Sequence, residues 1–115
     1  MKFALDLGLH ALRTRYADGT LTCRAMIEEV LTRIAAAGDD KVWIARAPDE
    51  RLREEAARLD ARRGDIDRLP LFGVPFAVKD NIDVAGLATT AACPGFSYLP
   101  EKSAEVVQRL VEAGA

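Results

Sequence analysis

Apolar positions in the first 70 residues recur at helical spacing. Leu5, Leu9, Leu12 and Tyr16 fall three or four apart, with Asp18-Gly19 as the stop. A second stripe, Met26, Ile27, Val30, Leu31 and Ile34, follows Thr22, whose hydroxyl suits a helix N-cap. It closes at Gly38, where a left-handed residue is wanted. A third stripe, Leu52, Ala56 and Leu59, starts near Pro48 or Asp49 and stops at Gly64. That stripe is narrow and its flanks are charged, so the third helix is expected on an outer surface. Glu54 and Arg58 are spaced for a helical ion pair of roughly 0.2–0.5 kcal/mol. Between the second and third stripes, Val42-Trp43-Ile44-Ala45 reads as a short β-favouring run, with Trp43 as a core anchor.

Beyond residue 70 the helical period disappears until the last dozen residues. In Leu69-Pro70-Leu71-Phe72-Gly73-Val74-Pro75-Phe76-Ala77-Val78, Pro75 can stand only at the start or edge of a strand. The predicted strand is therefore Phe76-Ala77-Val78-Lys79. The stretch 80–100 has no periodicity and is long for a structureless connection. It carries Leu87, Phe96, Tyr98 and the run Thr89-Thr90-Ala91-Ala92-Cys93-Pro94, which is too apolar for disorder, so a packed loop is expected. Ser103 is expected to cap a final helix with Val106, Val107, Leu110 and Val111 inward and Gly114 as its stop.

Composition sharpens this division. The chain has 115 residues, 50% of them hydrophobic and 30% charged, the balance of a folded domain. Residues 1–70 hold 13 basic and 13 acidic side chains, and residues 71–115 hold 3 and 5. Four of the five prolines lie from Pro70 to Pro100. With a net charge of −2 there is no basic footprint, so no nucleic-acid partner is expected. No apolar run is long enough for a membrane span, and Asp6 interrupts the N-terminus before an export signal can form. Cys23 and Cys93 form neither a CxxC nor a disulfide framework, which makes a cytoplasmic location the expectation.

The candidate chemistry is narrow. A single histidine, His10, cannot furnish a Ser-His-Asp triad or a multi-histidine metal site, and it reads as a surface or packing residue. Gly73, Gly86 and Gly95 lack a phosphate-cradling spacing, and no cofactor is expected. Cys93 reads as a small buried apolar residue with no base nearby in sequence. Ser97 reads as a loop residue. Lys79 stands out, because the chain has 12 Arg but only 4 Lys, and this one ends an apolar strand. Such a lysine either reaches solvent or, if its ammonium is disfavoured, acts as a general base. The second role requires the neighbouring Asp80 to turn away and bond elsewhere, since a carboxylate beside the amine would hold its proton on.

The run Gly73-Val74-Pro75-Phe76-Ala77-Val78-Lys79-Asp80-Asn81-Ile82-Asp83-Val84-Ala85-Gly86, with Thr89-Thr90 and the helix through Gly114-Ala115, resembles the amidase signature family. The resemblance covers essentially the whole chain. Within the family, Thr89 to Tyr98 and the upstream Val42-Trp43-Ile44 are similar to allophanate hydrolases. The A subunits of tRNA-dependent amidotransferases share the Lys79 motif.

The resemblance implies a hydrolase of small amides with a Ser–Ser–Lys triad, in which Lys79 matches the catalytic lysine. It also implies an α/β fold, a large mixed sheet wrapped by helices. This chain would be its N-terminal portion, helices plus one or two strands, incomplete as a domain. Residues 1–70 would be mainly helical, and residues 71–115 would hold the strand with the lysine, a packed loop and a helix. The family's two serines lie downstream in a glycine- and serine-rich segment absent from these residues. The 115 residues alone are therefore expected to be inactive, and to associate with a missing C-terminal part or with a second copy. A non-catalytic helical assembly module is the competing reading.

Overall fold

The periodic stripes become helices, and what orders them is a single core beneath. The structure is a computed structural model describing residues 5–115; residues 1–4, part of the N-terminus weighed against export, lie outside the described residues. Helix α1 spans Leu9–Asp18, α2 Cys23–Ala37, α3 Asp49–Ala61 and α4 Glu105–Glu112, with short 3₁₀ turns at Arg63–Arg68 and Pro94–Phe96.

Each boundary has a local cause. The Asp6 side chain accepts from the Gly8 N–H at 2.8 Å and starts α1. Gly19, at φ 81°, ends it in the left-handed conformation that a Cβ would disfavour. At α2 the Thr22 hydroxyl accepts from the Ala25 N–H at 3.0 Å. Asp60, from α3, accepts from the N–H groups of Cys23 at 2.7 Å and Arg24 at 3.1 Å. A carboxylate on the positive end of α2 thus fixes α3 against it.

The core joins Leu5, Leu12, Tyr16, Leu21, Cys23, Met26, Ile27, Ala56, Leu69 and Phe72. Leu12, Tyr16 and Cys23 are its most completely enclosed side chains. Burying a side chain of this size contributes roughly 1.5–3 kcal/mol. The Tyr16 ring meets Phe72 edge-on at 5.3 Å, and its hydroxyl donates to the Gly73 carbonyl at 2.8 Å. Gly73 has φ +68°, and a Cβ there would lie 2.5 Å from the Tyr16 hydroxyl oxygen. Arg13 and Arg63 brace the same region, donating to the carbonyls of Leu69 and Tyr16, each at 2.9 Å. The C-terminal end of α4 closes the seat: Leu71 N–H donates to Ala113 at 2.8 Å and Gly73 N–H to Gly114 at 3.0 Å.

Several expectations are corrected. The described residues contain no β-strand, only isolated antiparallel bridges Val84–Leu87 and Thr89–Tyr98. The chain from Val74 to Lys79 is unassigned backbone with no ladder partner. The sheet component of the α/β expectation is thus not seen in these residues. Val42-Trp43-Ile44-Ala45 is exposed coil and Trp43 is 42% exposed, because β propensity needs a partner strand to act on. The third helix ends at Ala61, and Gly64 lies within the 3₁₀ turn instead of stopping the helix. Glu54 and Arg58 do not pair; Arg53 bonds Glu50 and Glu28, each at 2.6 Å, and Arg51 bonds Glu55 at 3.1 Å. Helix α4 begins at Glu105 after Ala104 with no side-chain cap, so Ser103 is not its cap. Only Val107 of its stripe is buried, while Val106 and Val111 are each 55% exposed.

The overall shape agrees with that open face. The radius of gyration is 15.0 Å and the extents are 47 × 35 × 22 Å. A compact domain of this length has a radius of about 13.4 Å. The molecule is a slab that leaves apolar side chains such as Phe76, Val106 and Val111 exposed.

The seat around Gly73 predicts a large effect from one methyl group. Gly73→Ala should destabilise by about 2–5 kcal/mol, combining left-handed strain with overpacking against Tyr16. Tyr16→Phe should cost about 1–3 kcal/mol by orphaning the Gly73 carbonyl. Urea unfolding of the natural protein measures both, and a Gly73→Ala change within about 0.5 kcal/mol of zero, the size of an ordinary surface substitution, contradicts the account.

Candidate active site

Lys79 closes the stretch that leaves the Gly73 seat. Its side chain is exposed, and among the described residues none forms an ion pair or hydrogen bond with it. Its carbonyl accepts from the Ile82 N–H at 2.9 Å, which starts a turn. The carbonyl side of the lysine is therefore held by the turn, while no described residue pairs with its amine.

Asp80 is turned away from that amine. Its carboxylate accepts from the Thr90 hydroxyl, and from the Ala92 N–H at 3.3 Å. Its carbonyl accepts from the Ala91 N–H at 3.2 Å. The Thr90 hydroxyl first, then the N–H groups of Ala92, Thr90 and Ala91, hold its carboxyl below the ordinary aspartate range. The condition set out for an active lysine, a neighbouring carboxylate engaged with loop backbone, is met.

The turn that Asp80 grips is unusual. Ala91 has φ 50° and Ala92 φ 58°, two successive left-handed residues that are not glycine. Each costs roughly 1–2 kcal/mol relative to the right-handed conformation and persists only where other contacts impose it. The Cys93 N–H to Thr90 carbonyl bond at 2.8 Å completes the turn.

A parallel arrangement lies three residues on. Asp83 accepts from the Thr89 hydroxyl at 2.9 Å and from the Tyr98 hydroxyl, whose pKa is raised chiefly by that bond. Thr89 and Tyr98 exchange backbone bonds of 2.9 and 3.1 Å. Thr89 and Thr90, neighbours on extended chain, thus serve two aspartates on opposite sides. Sequence reasoning missed these roles and the left-handed alanines. The signal was the Thr-Thr pair facing two aspartates three apart.

The rest of the loop is tied down by hydrogen bonds. Ala85 N–H donates to the Ser103 hydroxyl oxygen at 2.9 Å, Gly86 N–H to Pro100 at 3.1 Å, and Arg51 of α3 to the Ala85 carbonyl at 3.0 Å. Its outer rim, residues 91–99, is exposed, so the packed-loop expectation holds only for the inner half. Cys93 is on that rim and is exposed, correcting the expectation of a buried thiol. Ser97 lines a shallow groove with Ile44, Thr90, Ala92 and Pro94. His10 is exposed on α1. Cys23 lies inside the core, its thiol pushed up to about 12 by burial first and by Asp60 next, and is chemically quiet there.

A family model described as "Amidase" matches residues 25–115. The chain belongs to the amidase family. This amidase chain is 47% identical over 90 residues to a urea amidolyase of Saccharomyces cerevisiae, covering 78% of this chain and 5% of that protein. It is 37% identical over 111 residues to the A-type subunit of a glutamyl-tRNA(Gln) amidotransferase of Exiguobacterium, covering 96% of this chain and 23% of that protein. A solved structure of a serine-to-alanine variant of Kluyveromyces lactis allophanate hydrolase superposes with TM-score 0.78 at 34% identity, over 100% of this chain and 19% of that one. The amidase chain thus spans a small part of each relative's length. The likeness extends to the fold.

Removing the strongest donor to Asp80 gives a test with a defined sign. An aspartate with a lowered folded-state pKa adds stability that is complete above its unfolded value, about 3.9, and lost as pH falls through the lowered value. Thr90→Val should move the Asp80 titration upward toward that value, so acid loosens the turn at a higher pH. Carboxyl-carbon NMR titration reads this directly, and an unmoved Asp80 curve removes Thr90 as the principal cause.

Proposed function

We propose that this chain supplies the catalytic lysine and N-terminal helical layer of an amidase-family hydrolase whose substrate is allophanate, in urea breakdown. The observation carrying the reading is the free Lys79 amine beside a carboxylate committed to other donors, within a chain 47% identical to a urea amidolyase. The weaker identity to an amidotransferase A subunit, 37%, ranks that alternative second. A purely structural assembly module would have no use for a lysine kept apart from its neighbouring acid.

In this reading Lys79 is the base of a Ser–Ser–Lys triad. Its neutral amine accepts a proton from a bridging serine, which takes one from the nucleophilic serine as that oxygen attacks the amide carbonyl. The carbon–nitrogen bond breaks, the nitrogen leaves protonated, and water releases the acyl group. Both serines belong to family segments outside these 115 residues. A lysine acts as a base only when its ammonium is disfavoured, and removal from water does this. Lys79 is exposed here, so the proposal requires further parts of the amidase to cover it. The same parts would pair with the extended 74–79 stretch as a strand, completing the α/β sheet, and would cover Val106 and Val111 of α4. The natural division is then a helical unit, 1–70, and a lysine unit, 71–115, joined at the Gly73 seat. Association with those parts, or with a second copy, is the corresponding partner expectation. Two free cysteines fit a reducing cytoplasm.

In the natural protein Lys79→Ala should lower turnover of allophanate by roughly 10²–10⁴-fold, the span of general-base catalysis, without shifting the unfolding midpoint. Steady-state ammonia release measures the rate. Near-normal turnover would remove Lys79 from the mechanism, and Lys79-dependent ammonia release from another amide with none from allophanate would redirect the substrate.

A further inference from the structure

We infer that Asp80 is a positioning residue for Lys79: by clamping the Thr90–Ala92 turn it fixes the peptide that carries the lysine and leaves the amine unpaired. The inference rests on the reading of Lys79 as the base.

Three observations converge on the clamp. The first is its completeness, since both the side chain and the backbone carbonyl of Asp80 accept from the one turn, through the Thr90 hydroxyl and the N–H groups of Ala92 and Ala91. The second is the conformation of its target. Ala91 and Ala92 are both left-handed, at φ 50° and 58°, so the turn relaxes once its acceptors are removed. The third is what a free carboxylate does elsewhere in this chain. Asp39 pairs with Lys41, two residues away, at 2.6 Å, and Asp49 with Arg46 at 2.9 Å. Asp80 sits one residue from Lys79 and makes no such pair. Its carboxylate is occupied instead by the donors on the turn. Asp80 tied to the turn fixes the peptide on the C-terminal side of Lys79, and Gly73 seats the start of the stretch that leads to it. A misplacement of about 1 Å in catalytic geometry costs on the order of 10²-fold.

The test uses the natural protein with allophanate, measuring kcat, KM and the unfolding midpoint for each variant. Asp80→Ala should lower kcat by roughly 10- to 100-fold and leave KM within about twofold, because binding groups stay while the base is misaimed. Asp80→Asn keeps an acceptor of the same shape and should recover most of that loss. Adding Ala92→Gly to Asp80→Ala should recover part of it, since glycine takes positive φ without strain. An Asp80→Ala loss confined to KM, an unchanged kcat, or equal kcat losses in the Asn and Ala variants would each overturn the proposal. Should Asp80→Ala not fold, Thr90→Val removes one donor and keeps the carboxylate; a kcat fall supports the clamp and an unchanged kcat overturns it. Lys79→Ala, run alongside, separates the two ideas. If it retains turnover, the base assignment fails whatever Asp80 does; if it is inactive while Asp80→Ala is normal, only the positioning role fails.

Discussion

The contact between the Tyr16 hydroxyl and the Gly73 carbonyl governs the rest of the molecule. It joins residues 57 apart, deep in the core, and demands a residue without a Cβ at position 73. Helix α1 reaches the lysine segment through this bond, the edge-on Phe72 contact and the Arg13 bond to the Leu69 carbonyl. The C-terminal turn of α4 reaches it through Ala113 and Gly114. Everything that follows Gly73, including Lys79, therefore leaves the core from one defined point in one defined direction.

From that point order is passed along by polar contacts instead of by burial. Asp80 and Asp83 each gather donors from the loop, and Arg51 and Ser103 tie the loop to α3 and to the approach of α4. A net hydrogen bond is worth about 0.5–1.5 kcal/mol, so this outer network is stable because it is anchored on a packed core and has several members. The exposed rim and the open face of α4 mark where apolar contacts stop and polar ones must suffice.

The sequence made some of this legible and hid the rest for physical reasons. Helices α1, α2 and α3 could be read because a 3.6-residue period records one buried face. The exclusion of Asp80 from Lys79 could be reasoned out, since a lysine base tolerates no adjacent carboxylate. The 76–79 strand is not formed in the described residues because a ladder needs partner strands, and none lies there. Trp43 was placed inside on residue type and Val106 on helical spacing, whereas burial depends on what faces them. Ser103 was read as a local cap, but its hydroxyl serves Ala85, 18 residues away, a contact no local pattern records. The paired left-handed alanines were invisible because alanine gives no hint of positive φ.

The distance along the chain between Tyr16 and Gly73 also sets an order of assembly. A growing chain emerges from its N-terminus, and the tyrosine cannot find its acceptor until 57 further residues have been made. At about 5–20 residues per second, that is a wait of roughly 3–11 s. Helices α1 to α3 have that time to gather, and residue 73 then arrives to close a pocket already walled by α1. The lysine follows six residues later, so the part of the chain that bears the chemistry is threaded out over a foundation laid before it.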